Sequence, residues 1–279
     1  MNRTATSLTL LVVSDHHLGR DAGTINRGYA TAWALERTLD AIADAGGHDA
    51  DAIVSTGDLV DVGDPAEYAF ARRLLGVLPG GRAPGPLASS RPGFEGRPFY
   101  LVPGNHDPRH AWLNALFPDE PARDHVDLAW RIGGTTFVHL DLGSDGRQGV
   151  LREASLRHLD TVLARGRPVV LVLHHHPIPV GIPWLDRAVP DGIDRLWERL
   201  ERGVVAVLFG HAHVGIDATV NGIPVLGTRS TCFQFAASEE PEFMIRPLQY
   251  RRLTIDGATV RHERFEVPLT GPAVARRVP

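Results

Sequence analysis

The chain is poor in cysteine, in lysine and in long apolar segments. Its 279 residues include one cysteine, Cys232, and no lysine. A lone cysteine excludes an intramolecular disulfide and an all-cysteine zinc site, and it is typical of a reducing compartment. The longest apolar runs, such as Val169–Leu173 and Val204–Phe209, have the length of a strand and are too short to cross a bilayer. Because the N-terminus also shows no signal-peptide pattern, we expect a cytoplasmic protein that does not associate with a membrane.

The charge balance limits the class of partner. The formal net charge is −4, so the chain has no excess of basic residues with which to hold a nucleic acid polymer. A small molecule is therefore the expected partner. The length suits one domain over residues 1–279 with a sizeable core, and the sequence is compatible with an oligomer.

Apolar runs of strand length recur along the chain, and each is followed by a polar or glycine-containing loop. These runs are Leu8–Val13, Ala52–Ser55, Phe99–Val102, Val169–Leu173 and Val204–Phe209. Helices are expected between them at Tyr29–Ala45, Pro65–Leu78, Glu153–Ala164 and Gly192–Arg202. Continuous apolar strands are buried on both faces, as in layered α/β proteins. The pattern predicts an α/β fold, a four-layer α/β/β/α sandwich.

Two segments depart from this alternation. Residues 79–98 are rich in glycine, proline, alanine and serine, which predicts a surface loop or an insertion. Residues 215–279 change to short strands, with turns predicted at Asn221-Gly222 and Asp256-Gly257. We interpret this C-terminal part as strand-rich and as belonging to the same domain.

Side chains that can bind a metal stand in the loops after the five apolar runs. They are Asp15 and His17, Asp58, Asn105 and His106, the row His174 to His176, and His211 with His213. Singly, each is better explained as a turn, a helix cap or a loop histidine. Open α/β sheets place their sites at the carboxyl ends of strands, so folding would bring all five loops together. Mixed imidazole, carboxylate and amide ligands suit manganese, iron or zinc rather than calcium. Two such ions about 3.5–4 Å apart would hold a phosphate ester during hydrolysis.

These motifs resemble those of the calcineurin-like metallophosphoesterases. The five blocks are Asp-x-His, Gly-Asp, Gly-Asn-His-Asp, a strand-end histidine and Gly-His-x-His. The segments that begin at Leu173, Gly181 and Ser230 further resemble the class III cyclic nucleotide phosphodiesterases of bacteria, in particular their cyclic AMP branch. The resemblance covers nearly the whole chain. Its blocks are highly specific for the superfamily and less specific for the substrate.

The resemblance implies a role for each matching residue. The first ion would be held by Asp15, His17 and His213, and the second by Asn105, His174 and His211, with Asp58 bridging the two. In the histidine row His174 is the expected ligand and His175 the alternative, while His176 would pack or support the site. His106 would face the phosphate as general acid, and Asp107 or another nearby carboxylate could orient its ring. The substrate would contact Asn105, His106, His16, Thr231 and Cys232, with Ile178–Pro190 as a lid.

The implied activity is hydrolysis of 3′,5′-cyclic AMP to 5′-AMP by attack of metal-bound hydroxide. The alternative is an enzyme of the same fold that acts on other phosphodiesters or on phosphomonoesters, such as glycerophosphodiesters or nucleotides. A scaffold that has lost catalysis is the third hypothesis. It is disfavoured because every block of the signature is filled.

Overall fold

Two β-sheets carry most of the described chain, which comprises residues 7–81, 84–143, 148–201, 203–271 and 275–278 of a computed structural model. The strands are β1 (Leu8–Val13), β2 (Ile25–Asn26), β3 (Tyr29–Ala30), β4 (Ala52–Ser55), β5 (Leu87–Ala88), β6 (Pro98–Leu101), β7 (Leu128–Ile132), β8 (Thr135–His139), β9 (Val169–Val172), β10 (Val204–Phe209), β11 (Ile216–Val220), β12 (Ile223–Gly227), β13 (Gln234–Phe235), β14 (Phe243–Met244), β15 (Leu248–Asp256), β16 (Thr259–Val267) and β17 (Arg276–Val278). The helices are α1 (Thr31–Asp44), α2 (Pro65–Leu75), α3 (Arg109–Leu116), α4 (Glu153–Leu163), α5 (Pro183–Asp186) and α6 (Asp194–Leu200), with a 3₁₀ turn at Gly47–Asp49.

Each large sheet has a parallel centre. The first has the order β17-β16-β15-β1-β4-β6-β5, with β1, β4 and β6 parallel. The second has the order β11-β12-β10-β9-β8-β7, with β8, β9, β10 and β12 parallel. Two short hairpins, β2 with β3 and β13 with β14, stand apart from them. Every strand that leads into a predicted metal-binding loop therefore lies in a parallel centre.

The residues of β9 show how the layers are stacked. Val170 and Val172 belong to the apolar cluster that includes Leu10 and Val12 of the first sheet. Val169 and Leu171 belong to a second cluster, shared with helices α4 and α6. Successive side chains of a strand point to opposite faces, so one face packs on the other sheet and one on helices. Helix α1 packs against β15 and β16 of the first sheet. The predicted four-layer α/β/β/α sandwich is confirmed.

The start of α2 is specified by its sequence. Asp64 is the N-cap and accepts a hydrogen bond from the backbone N–H of Ala66 at 2.8 Å, and Pro65 occupies the first turn. Glu67 completes the capping box, and its carboxylate also accepts bonds from the backbone N–H groups of Val62 and Gly63. These bonds order the loop between Asp58 and the helix.

The two irregular segments join the sheets. In residues 79–98, apart from 82 and 83, which lie outside the described residues, strand β5 adds to the edge of the first sheet and Phe94 packs on Phe99 with ring centroids 6.0 Å apart. The segment predicted as a surface loop or an insertion thus contains a two-residue edge strand. The C-terminal strands β11 and β12 join the second sheet and β15 to β17 join the first. A single domain remains our interpretation. Among the described residues, no helix combines the length and apolar character that crossing a membrane requires.

Arg251 of β15 connects the two sheets. Its side chain is 0% exposed and donates to the Asp217 carboxylate on β11 at 2.6 Å. It also donates to the carbonyls of Ile216 and Gly227 at 3.0 and 2.8 Å. A buried guanidinium is tolerated only with such partners, which satisfy its charge and its N–H groups.

We predict that Arg251→Met lowers the free energy of unfolding by roughly 2–4 kcal/mol, because two buried carbonyls would lose their donor. The exposed Arg261 of the next strand is the matched control, and Arg261→Met should change stability by less than about 0.5 kcal/mol. Urea unfolding followed by tryptophan fluorescence measures both variants. An equal, small effect would show that the arginine does not couple the sheets.

Candidate metal centre

The five polar loops meet at one edge of the stacked sheets. They follow β1, β4 and β6 of the first sheet and β9 and β10 of the second, and parallel strands place their carboxyl ends on the same side. Backbone hydrogen bonds tie the loops together, from Asp15 N to Gly57 O at 3.1 Å and from Gly210 N to His174 O at 3.1 Å. The sheet topology therefore determines where the site forms.

Two glycines allow the loops to approach this closely. A Cβ atom on Gly104 would lie 2.1 Å from Asp58 Oδ1, and one on Gly210 would lie 2.2 Å from Ser14 Oγ and 2.8 Å from Asp15 Oδ2. Such contacts are far inside van der Waals distance, so any larger residue would push the carboxylates away. This is the physical reason for glycine directly before Asn105 and His211 in the two motifs.

The backbone is strained at the predicted ligands. Seven non-glycine residues of the described chain have positive φ, and five of these are predicted ligands. The five are Asp15 (52°), His17 (45°), Asp58 (50°), His211 (63°) and His213 (53°). Each costs about 1–3 kcal/mol and persists only where the surrounding structure enforces it, which is typical of functional sites.

The residues predicted for the first ion lie together. Nε2 of His17 is 3.2 Å from Nε2 of His213, which is 3.6 Å from Oδ1 of Asp15. All three side chains are buried, and a donor atom of each lies within 4.8 Å of the others. The geometry supports the predicted grouping, and ligation by these three residues remains our proposal.

The residues predicted for the second ion converge on an amide oxygen. Oδ1 of Asn105 lies 2.9 Å from Nε2 of His174 and 2.8 Å from Nδ1 of His211. Of the histidine row, only His174 joins a potential metal-binding cluster among the described residues. His175 is buried beside it, and His176 donates from Nε2 to the Leu185 carbonyl at 3.0 Å. His174 is therefore retained as the proposed ligand.

Asp58 lies between the two groups. Its Oδ2 is 3.5 Å from Nε2 of His17 and 3.4 Å from Nε2 of His174, and its Oδ1 accepts a bond from the backbone N–H of His106 at 2.8 Å. Potential metal clusters containing Asp58 occur on both sides, one with His17 and one with His174. This position supports the proposed bridging role.

The hydrogen bonds of the rings leave lone pairs directed at other acceptors. His213 donates from Nδ1 to the Phe233 carbonyl at 2.7 Å, so the neutral ring carries its lone pair on Nε2, toward Asp15. Nδ1 of His17 is held by Asp61 Oδ1 at 3.2 Å, and its Nε2 faces Asp58. Acceptors that face acceptors repel each other, and a cation between them removes the conflict. The donor set therefore fits two divalent metal ions.

The protonation states agree with this fit. Burial lowers the pKa of His17, His211 and His213, which leaves these rings neutral, the form that binds metal. Burial would also lower the pKa of His174, but Asp58 and Asp15 raise it to about 9. With no metal bound, a proton would therefore supply the positive charge that the carboxylates require. A divalent ion supplies that charge more completely.

His106 stands at the edge of this centre and does not depend on Asp107. It donates from Nδ1 to the Asp61 carbonyl at 2.5 Å, and the Asp61 carboxylate is 3.8 Å from the same nitrogen. Asp107 is buried and instead accepts bonds from the N–H groups of Leu59 and Gly104, both at 3.0 Å. The ring is thus oriented by the backbone carbonyl of Asp61, whereas the sequence led us to expect a carboxylate, that of Asp107 or of another nearby residue.

Three predicted substrate contacts lie beneath the site and not on its surface. His16 bonds through Nδ1 to Thr231 Oγ1 at 2.7 Å and through Nε2 to Ser55 Oγ at 3.0 Å. Sγ of Cys232 donates to the Asp15 carbonyl at 3.3 Å. His16, Thr231 and Cys232 are at most 1% exposed and do not line the cavity, and their bonds support the metal-binding loops. Their contact with substrate remains a prediction. His16 stands between two proposed ligands in the sequence, and that position does not show whether it contacts substrate or supports the loops.

Arg109 supports the Asn105 loop from behind. It donates to the carbonyls of Gly104 and Asp107 and pairs with the buried carboxylate of Asp141 at 2.5 Å. Burial opposes the charge of Asp141, but the Arg109 guanidinium holds the pKa of that carboxyl well below its usual range. This pair is not apparent in the sequence, because Asp141 lies more than thirty residues after Arg109.

A solvent-open cavity lies over the centre. On one side it is lined by His17, Asp58, Asn105, His106, His211 and His213. The rest of the lining includes Arg27 and the aromatic rings of Trp184, Phe233, Phe235 and Phe243. The motifs in the sequence did not predict Arg27 or Phe243 as part of the site. Trp184 and Leu185 of α5 line the cavity, so the segment predicted as a lid contributes a wall. Movement of that segment remains a prediction.

Comparison with known proteins agrees with the site. A family model described as calcineurin-like phosphoesterase matches residues 8–215. The chain is 34% identical to a cAMP/cGMP dual specificity phosphodiesterase of Mycobacterium tuberculosis, over 80% of this chain and 67% of that protein. It is 32% identical to the 3′,5′-cyclic adenosine monophosphate phosphodiesterase CpdA of Escherichia coli, over 81% and 77%. A dimetal phosphatase from Danio rerio has the same fold, with 14% identity, a TM-score of 0.57 and coverage of 91% and 98%.

We predict that purified protein binds about two divalent ions per chain and that Asp58→Ala loses both, because this carboxylate faces both groups. Asp124, whose side chain is 96% exposed and paired with His110, provides the control Asp124→Ala, which should keep both ions. Elemental analysis after dialysis measures the content. Retention of one ion in Asp58→Ala would contradict the bridging role.

Proposed function

The chain belongs to the calcineurin-like phosphoesterases, and we propose that it hydrolyses 3′,5′-cyclic AMP to 5′-AMP. The observation that carries the proposal is the position of Asp58 between two groups of donor side chains, one with His17 and His106 and one with His174 and His211, at one cavity. Relatives at 32–34% identity are cyclic nucleotide phosphodiesterases, which supports this substrate class. The net charge of −4 is also consistent with a small phosphodiester, because the chain has no excess of basic residues with which to bind a nucleic acid polymer.

We propose manganese, iron or zinc as the two ions, because the donor set combines imidazole, carboxylate and amide groups. When bound, the ions supply Lewis acidity that offsets the charge of the phosphate and lowers the pKa of water. Asp15, His17 and His213 would hold one, and Asn105, His174 and His211 the other. Asp58 would contribute to both.

His106 is proposed as the general acid. It lies next to the proposed ligand Asn105 in the chain and is 31% exposed at the cavity, so it can approach the substrate. The leaving group of cyclic AMP is the ribose 3′ oxygen, a poor leaving group that requires a proton or a strong hydrogen bond. Asp61 holds Nδ1 through its carbonyl at 2.5 Å, which leaves Nε2 as the atom that can serve the substrate. Asp61 is thereby a positioning residue.

Alternatives within the family differ in substrate. Other phosphodiesters and phosphomonoesters would use the same donor groups, so they form the second hypothesis. The cytoplasm remains the predicted location.

We predict that the manganese-loaded protein converts cyclic AMP to 5′-AMP, and that a chelator abolishes the reaction. A panel of cyclic AMP, cyclic GMP, a glycerophosphodiester and 5′-AMP, followed by chromatography, tests the substrate class. Asp58→Ala prepared in parallel controls for contaminating phosphatases. Hydrolysis of the linear diester with none of any cyclic nucleotide would support the second hypothesis instead, and no hydrolysis of any ester would support a scaffold.

For His106→Ala we expect both metals to be retained and turnover of cyclic AMP to fall by roughly 10²–10⁴-fold. The loss should be much smaller for a nitrophenyl phosphodiester, whose leaving group needs little protonation. Comparing kcat on the two substrates separates proton donation from phosphate binding. Equal losses would assign His106 to positioning of the phosphate, and loss of metal would make it a ligand.

A further inference from the structure

One wall of the cavity, beside the proposed metal ligands, is aromatic, and the ring of Phe235 lies 4.5 Å from that of His213. Trp184, Phe233, Phe235 and Phe243 line it, and neighbouring rings are 4.9–5.7 Å apart. Phe235 and Phe243 belong to the short hairpin of β13 and β14, which pairs with neither large sheet. A phosphate bound at the metal centre would direct the rest of its ester along this hairpin.

Arg27 covers the same wall. Its guanidinium carbon lies 4.6 Å from the ring centroid of Phe233 and 4.7 Å from that of Phe243. Nη1 of Arg27 lies 3.6 Å from the Asp61 carboxylate and donates to Asn26 Oδ1 at 2.9 Å. Arg27 adopts a positive φ of 45°, which a non-glycine residue does at a cost. The surrounding contacts therefore hold this side chain in a defined place at the rim.

The exposed members of this wall are flat. Phe243 is 41% exposed and the Arg27 side chain is 33% exposed, whereas Phe233 beneath them is 1% exposed. Exposed aromatic rings and guanidinium planes stack on planar heterocycles, and they have little to offer a flexible polyol chain. Release of water from such apolar surfaces adds to the favourable free energy of stacking.

We propose that Phe243 and Arg27 form a platform on which the nucleobase of the substrate stacks. The inference rests on the proposed function and extends it, since it makes the wall the element that selects nucleotides over glycerophosphodiesters. The metal centre recognises only the phosphate, which both ester classes share. Discrimination between them must therefore come from groups beyond the centre.

Two ligands that differ only in the base test the platform. The metal-loaded protein is titrated with 5′-AMP and with ribose 5-phosphate by isothermal titration calorimetry, so the readout is binding and not turnover. Wild type should bind 5′-AMP more tightly, by roughly 5- to 100-fold, the usual range for one stacked base. Phe243→Ala should remove most of this preference and change the affinity for ribose 5-phosphate by less than about twofold, and Phe243→Tyr should restore it.

The variants at Arg27 separate stacking from charge. Arg27→Lys keeps the charge and loses the flat surface, so it should weaken 5′-AMP binding alone. Trp33 is the matched control, since it is 42% exposed under the guanidinium of Arg37 but lies on α1, away from the cavity. Trp33→Ala should bind both ligands as wild type does.

Equal affinity of the wild type for the two ligands overturns the platform, and so does an equal loss for both in Phe243→Ala. Turnover of cyclic AMP by the same preparation distinguishes the two proposals. A protein that hydrolyses cyclic AMP without any preference for the base retains its proposed function and loses the platform. A protein that prefers 5′-AMP but hydrolyses no cyclic nucleotide retains the platform and loses the function.

Discussion

The site depends on buried acceptor atoms that face one another. The lone pair of His213 Nε2 points toward Asp15 Oδ1 at 3.6 Å, and Nε2 of His17 faces Asp58 Oδ2 at 3.5 Å. Such an arrangement is unfavourable unless a positive charge stands between the groups. Carbonyl partners such as Phe233 O hold the rings in this orientation, so the protein is prepared for cations before they bind.

The rest of the fold maintains that arrangement against strain. Five proposed ligands have positive φ, a conformation that the loops alone would not keep. The loops are anchored at strands with almost fully buried side chains, and they are backed by bonds such as those from Arg109 to the Gly104 carbonyl and to Asp141. Gly104 and Gly210 allow close approach of the backbone to the carboxylates. Packing in the core thus compensates for the backbone strain and the electrostatic repulsion at this edge of the sheets.

We propose that the two sides of the cavity recognise different parts of the substrate. The metal side is made from residues of the five motif blocks, and we propose that it contacts the phosphate. The aromatic side comes from a small hairpin and from Arg27, which lie outside those motifs. Elements that stand outside the central sheets can vary without disturbing the metal centre, because they are not part of its backbone. In this protein the proposed specificity for a nucleotide therefore lies where the fold is least constrained.

Periodicity and motif spacing were enough to predict the layered fold, the main strands and the loops that form the centre, because buried parallel strands and their carboxyl ends leave local signals. The strand Leu8–Val13, the strand Val204–Phe209 and the start of α2 at Pro65 have the predicted bounds. Only the tertiary structure decided that His174 faces the centre, that Asp61 holds His106, and that His16 and Cys232 lie beneath it. It alone placed Arg27 over Phe243, more than two hundred residues away. Contacts between distant segments depend on how the sheets pack, and local sequence carries no record of that packing.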